Sequence, residues 1–201
     1  DVALLTARAQ PNMSARIASW QEVVGTLGVS TDRYEKGIFI DDLTTFFAHR
    51  SERAGRELEE FKKLLVQLRS GKFKKDKIFE RHDSARFKTW EDILDGTLAV
   101  RAAQEDKPVM QKVKKLSDAV PLVAQSGAEY EKNILVQVIS DLFLQRGQMV
   151  RADLDSLKSL FEKIKKASGV LASNQLAVLN AWMSEIDQAR FVTTGSKTYL
   201  D

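Results

Sequence analysis

The chain has 201 residues, 43% of them hydrophobic and 29% charged, with a formal net charge of +3. That balance excludes a disordered chain, which has too little apolar surface to collapse. The absence of cysteine excludes a disulfide scaffold, thiol catalysis and cysteine-ligated zinc or iron–sulfur sites.

With only 10 glycines and 3 prolines, and with Leu and Ala outnumbering the β-branched aliphatics, the composition favours helix. Beginning at Asp1 rather than Met, the chain reads either as a processed form, such as the mature form of an organellar or exported precursor, or as a fragment, and the compartment is left open. No acidic residue stands between Asp1 and Glu22, while Arg8, Ser14, Arg16 and Ser19 do, a composition shared with transit peptides. The apolar spacing of the same segment favours an ordinary first helix.

Residues 1–11 read as an extended segment, and the first helix is expected over Met13–Leu27. Asn12 caps it, Pro11 prevents backward extension and Gly28 ends it. Its apolar residues Met13, Ile17, Trp20, Val24 and Leu27 form a narrow seam of the coiled-coil kind. After a loop containing Ser30, Thr31 and Gly37, one long helix is expected from Asp41 or Asp42 to Arg69. Phe47, Ala54, Leu58, Phe61, Leu65 and Leu68 share a face of it, and at 1.5 Å per residue it spans on the order of 43 Å. Ser70-Gly71 closes it.

A helix from Ser84 to Glu105 carries Phe87, Trp90, Leu94 and Leu98. Pro108 opens the next one, with Val109, Val113, Leu116 and Val120 inside, and Pro121 is expected to break or kink it. The longest helical pattern lies between Gly127 and Gly169, with Tyr130, Ile134, Val138, Leu142, Gln145, Met149, Leu157, Leu160 and Ile164 on it, and predicts a single helix. Gly147 lies inside at a cost of about 1 kcal/mol relative to Ala. The last helix is expected over Asn174–Phe191, with a tail at 193–201. Ile38-Phe39-Ile40 is the one β-looking run and is too short to make a sheet. The fold class is therefore all-α: an elongated antiparallel bundle of five or six helices, two of them long, in a single domain over 1–192.

Neither histidine sits in a catalytic or ligand pattern. Phe46 and Phe79 precede His49 and His82 by three residues, so the Glu-x-x-His of a di-iron bundle is missing at both. His82-Asp83-Ser84 holds triad residue types, but sequence neighbours do not reach the triad's relayed geometry. No phosphate loop, nucleophile elbow or dinucleotide fingerprint occurs. The paired acids Asp41-Asp42, Glu59-Glu60 and Asp153-Asp155 fall at helix starts or on charged faces. No catalytic residue, cofactor or metal ligand is assigned, and the chain reads as not an enzyme.

The basic run is the surface feature that stands out. Arg69, Lys72, Lys74, Lys75 and Lys77 face Asp76 alone, with Phe73 interleaved and Phe79 following. Arg69, Lys72, Phe73, Lys74, Lys75 and Lys77 are the candidate partner contacts. Trp20, Trp90, Trp182 and Tyr130 lie on apolar stripes and are expected in the core. Ile134–Leu144, the longest apolar stretch, is interrupted by Gln137, Ser140 and Asp141 and falls short of a membrane span. The function this supports is a non-catalytic helical structural or interaction protein, a subunit or accessory component of a larger protein assembly. The alternatives are a peripheral binder of anionic membrane or nucleic acid through the basic run, or a helical secreted effector. Salt sensitivity separates phosphate binding from apolar docking.

Overall fold

A computed structural model describes residues 2–27, 33–70, 79, 81–105 and 108–195. Among these residues the structure is helical, with no strand. The chain divides into two compact units, Asp1–Leu94 and Asp95–Asp201.

The first unit opens with a helix where an extended segment was expected. α1 (Val2–Arg8) packs on α2 because Leu4 and Ala7, three apart on one face, are both buried. Arg8 then grips both carboxylate oxygens of Asp42 at 2.7–3.1 Å. α2 (Met13–Leu27) has the expected limits. Asn12 Oδ1 accepts the Ala15 N–H at 2.8 Å, satisfying a donor that a helix start leaves open.

The single helix expected from 41 or 42 to Arg69 is instead two. α3 (Arg33–Ala48) begins earlier and takes in Ile38-Phe39-Ile40. A 3-10 turn at Arg50–Glu52 follows, and α4 runs over Gly55–Arg69. Ala54 is extended (φ −66°, ψ 150°), and its N–H donates to Glu57 Oε2 at 3.0 Å. A glutamate reaching back from the third helical position marks a helix start. Gly55 therefore opens α4 rather than lying inside a longer helix.

The core of this unit is aromatic. Trp20 meets Phe46 edge-on (centroids 5.9 Å, 86°) and Phe61 at 6.3 Å, while Phe46 and Phe61 lie 4.2 Å apart. Phe87, on α5 (Arg81–Gln104), touches Phe79 and Trp90 at 5.3 and 5.8 Å. Each ring buries roughly 150–250 Å², a gross apolar stabilisation of about 4–6 kcal/mol at 25 cal/mol per Å². Trp20, expected in the core, is 1% exposed, and its indole N–H has no oxygen or nitrogen partner.

In the second unit α6 (Val109–Ser126) continues through Pro121, where a break or kink was expected, without ending there. Proline has no N–H to give the Ser117 carbonyl four residues back. Lys163 supplies the missing donor from α8, with Nζ 2.5 Å from Ser117 O and 3.1 Å from Ser117 Oγ. A tertiary contact thus repairs a local defect. Gly127, at φ +63°, closes the helix in the left-handed conformation that glycine adopts without strain.

The long helix expected from Gly127 to Gly169 is also two. α7 (Glu129–Leu144) and α8 (Arg151–Lys166) flank a 3-10 turn at Gln145–Gln148 that contains Gly147. Arg146 holds the turn from three directions. It donates to Phe143 O at 3.2 Å, lies over the Phe143 ring at 4.0 Å and pairs with Glu185 at 2.8 Å. α9 (Ser173–Gly195) extends further than expected and takes in residues 193–195 of the supposed tail.

α8 packs on both α6 and α9, around an aliphatic core of residues such as Leu116, Val120, Leu135, Leu157 and Ile186. Trp182 stacks on Phe143 at 4.6 Å. Glu131 is fully buried and accepts the Thr97 hydroxyl. Arg101 donates to the Tyr130 hydroxyl at 3.0 Å.

Candidate docking surfaces

Of the six candidate contacts in the basic run, the structure describes Arg69; Lys72, Phe73, Lys74, Lys75 and Lys77 lie outside the described residues. Arg69 ends α4, with its Nε 2.8 Å from Glu91 Oε1 of α5. The two atoms are close but out of hydrogen-bond alignment, so the attraction is ionic. Glu91 is 6% exposed. Burial raises its pKa above the ordinary carboxylate value, and the Arg69 charge opposes that rise. The guanidinium is thus already engaged within the unit.

The histidines occupy ordinary surface positions. His49 Nδ1 lies 2.8 Å from the Thr45 carbonyl one helical turn back. His82 Nε2 is 3.3 Å from Asp83 in the first turn of α5. Among the described residues no three His, Cys, Asp or Glu side chains gather as metal ligands. No helix among them is long and apolar enough to cross a membrane.

Among the described residues the second unit carries several concave surfaces, two of them lined mainly by apolar atoms. The wider groove, about 770 Å³, runs between α6 and α8 and presents Lys114, Asp118, Asp155 and Lys163. Its charges are mixed in sign, and Lys163 is the side chain that completes α6. The other is a cleft of about 250 Å³ lined by Val136, Ile139, Leu171, Val178, Leu179 and Trp182, with Ser140, Asn174 and Gln175 as its polar groups. No charged side chain lines it.

The cleft adjoins an uncharged helix face. Between Lys166 and Glu185 lie eighteen residues without a charge, the longest such run in the chain. Within it Asn174, Ala177, Val178, Ala181 and Ser184 of α9 are exposed. At about 100° per residue these positions span an arc of about 120°. Both acids that follow are held inside the unit, Glu185 by Arg146 at 2.8 Å and Asp187 by Lys158 at 2.6 Å. Sequence reasoning missed this surface. Its signal was an absence of charge in a chain otherwise 29% charged, which no motif search registers.

Comparison with protein-family models, with curated proteins and with solved structures gives no significant match for this chain.

Proposed function

We propose that the protein is a non-catalytic helical interaction protein, a subunit or accessory component of a larger protein assembly, and that it docks through the outward face of α9. The observation that carries this reading is the uncharged surface around Val178. Val178 is 47% exposed at the lip of an apolar cleft, on a helix whose outward face has no free acid or base between Ser173 and Ser184. Depletion of charge at the centre of a patch distinguishes protein interfaces from ordinary surface. A recess that takes an apolar anchor is where binding energy concentrates.

The test is quantitative capture of partners from the native source by the chain and by its Val178→Lys variant. Position 178 is exposed, so the variant keeps its circular dichroism and melting temperature. Capture is expected to fall sharply while those two stay constant. Capture of the same subunits in the same amounts by both chains removes α9 as the docking face.

A further inference from the structure

We infer that two copies of the chain exchange their last two helices: the turn between α7 and α8 straightens, the two helices become one, and α8 and α9 of each copy dock on α6 and α7 of the other. This exchange is independent of the α9 docking face. It uses the contact already buried between α6 and α8 in the single chain.

The sequence supports a continuous helix through the turn. At about 100° per residue, Val138, Leu142, Met149, Leu157, Leu160 and Ile164 fall within an arc of about 100° if 129–166 is wound as one helix. The backbone agrees. Leu144 (φ −62°, ψ −30°) is helical, and Gln145–Gln148 form a 3-10 turn. Met149 (φ −85°, ψ 139°) and Val150 (φ −75°, ψ 164°) are the extended residues that reverse the chain. Both already have a φ near the helical value, so opening the hairpin is mainly a rotation of two ψ angles. The bends at Gly127 and Gly169 differ, since each holds a glycine at positive φ, which a right-handed helix does not contain.

Exchange also supplies its own interface. Leu154, Leu157, Leu160, Phe161 and Ile164 are buried in the closed chain, and in the exchanged pair they meet the same α6 surface on the other copy. Lys163 would then serve the Ser117 carbonyl of that copy, as it serves its own in the closed form. Complementarity is thus that of a folded core, the feature that makes domain swapping a low-cost route to dimers. The bend leaves two aliphatic side chains in water, Leu144 at 74% and Val150 at 65% exposed. They stand three residues either side of Gly147, each within about 60° of it on a continuous helix. Where two such helices cross antiparallel at Gly147, Leu144 of one copy lies opposite Val150 of the other. The open form therefore covers what the closed form exposes. Arg146 lies ahead of the two pivots and stays with α7, whereas Glu185 travels with α9. Their ion pair is remade between copies.

Refolding from denaturant at near-millimolar chain concentration is expected to yield a dimer of twice 22.6 kDa by light scattering. It should persist on dilution, because separation requires α8 and α9 to leave a core. Val150→Pro locks the closed form. Proline suits φ −75° after an extended residue, and Pro108 precedes α6 in the same way. Inside a continuous helix it is strongly disfavoured, so the dimer constant should fall at least about a hundredfold, with circular dichroism and melting temperature kept.

Charge reversal tests the exchange without proline. An Arg146→Glu chain sets two acids at this contact and a Glu185→Arg chain two bases, so each repels within itself. Refolded together in equal amounts, exchanged heterodimers restore both pairs and should exceed the share of about half that random pairing gives; dimers joined side by side gain nothing. A parent chain that stays monomeric after concentrated refolding overturns the exchange. So does a dimer that survives Val150→Pro, or a heterodimer share no higher than random. If Val150→Pro fails to fold, the heterodimer share decides.

Discussion

In the first unit Trp20, Phe46 and Phe61 meet within 4.2–6.3 Å, whereas the second unit is filled mainly by Leu, Val and Ile along α6, α7 and α8. The difference bears on how burial is distributed. A few rings of roughly 150–250 Å² each concentrate the first core in a small number of positions. Aliphatic side chains spread the second over many, so each accounts for less. The second unit also depends more visibly on polar repairs between helices. Lys163 closes α6, Arg146 holds the α7–α8 turn, and Thr97 satisfies Glu131.

The largest effect is therefore expected at Phe61, which is fully buried between Trp20 and Phe46. Phe61→Ala should destabilise the protein by about 3–5 kcal/mol, read from denaturant unfolding. Leu157→Ala, equally buried in the second unit, should cost about 2–3 kcal/mol, in the lower part of the range for such changes. Equal losses at the two sites would erase the contrast between the cores.

The polar repair makes a finer distinction. Lys163→Met should cost about 1 kcal/mol, since it leaves the Ser117 carbonyl without its charged donor. In a Pro121→Ala background the helix regains its own N–H, and the same substitution should cost clearly less. A double-mutant cycle measures this coupling; strict additivity would show that Lys163 does not serve that carbonyl.

A smaller effect, with a definite sign, is expected in the first unit. Burial raises the Glu91 pKa above 4.5 despite Arg69, so the folded state disfavours the carboxylate at neutral pH. The penalty is full above the raised value and vanishes below 4.5, where both states are protonated. Glu91→Gln should accordingly be more stable than the parent at pH 7, and its advantage should shrink on acidification. A variant less stable at pH 7 would mean that the attraction to Arg69 outweighs burial.

The smallest change is expected at Arg8, whose side chain is 44% exposed beside Asp42. Arg8→Ala should cost roughly 0.5 kcal/mol, diminishing with added salt as for surface pairs. Hydrogen exchange in α1 should quicken while exchange in α4 stays unchanged.

These outcomes bear on how far the sequence could be read. α2 was legible from end to end because a capping asparagine and a 4-and-3 apolar spacing agree there. The breaks after Ala48 and Leu144 were not. Phe47, Ala54 and Leu58 keep helical spacing across the first, and Leu142, Met149 and Leu157 carry the pattern across the second. Periodicity does not register a turn that preserves it. What marks the turns is the reach of Glu57 to Ala54 and of Arg146 to Phe143 and Glu185, and part of that is tertiary. At Pro121 the local rule was sound, but a lysine far along the chain overrode it. The basic run was conspicuous because charge is easy to count, and the α9 face was passed over because it has none.

The lysine that serves the Ser117 carbonyl also has a kinetic meaning. Elsewhere in α6 each backbone hydrogen bond closes over four residues and can form as soon as a turn does. This one closes over 46 residues, so it waits for α8 to arrive and carries a loop-closure entropy that the other turns do not. The helix is thus completed in two stages. Most of its turns can appear early and locally, while the turn ahead of Pro121 gains its last bond only after α8 has docked.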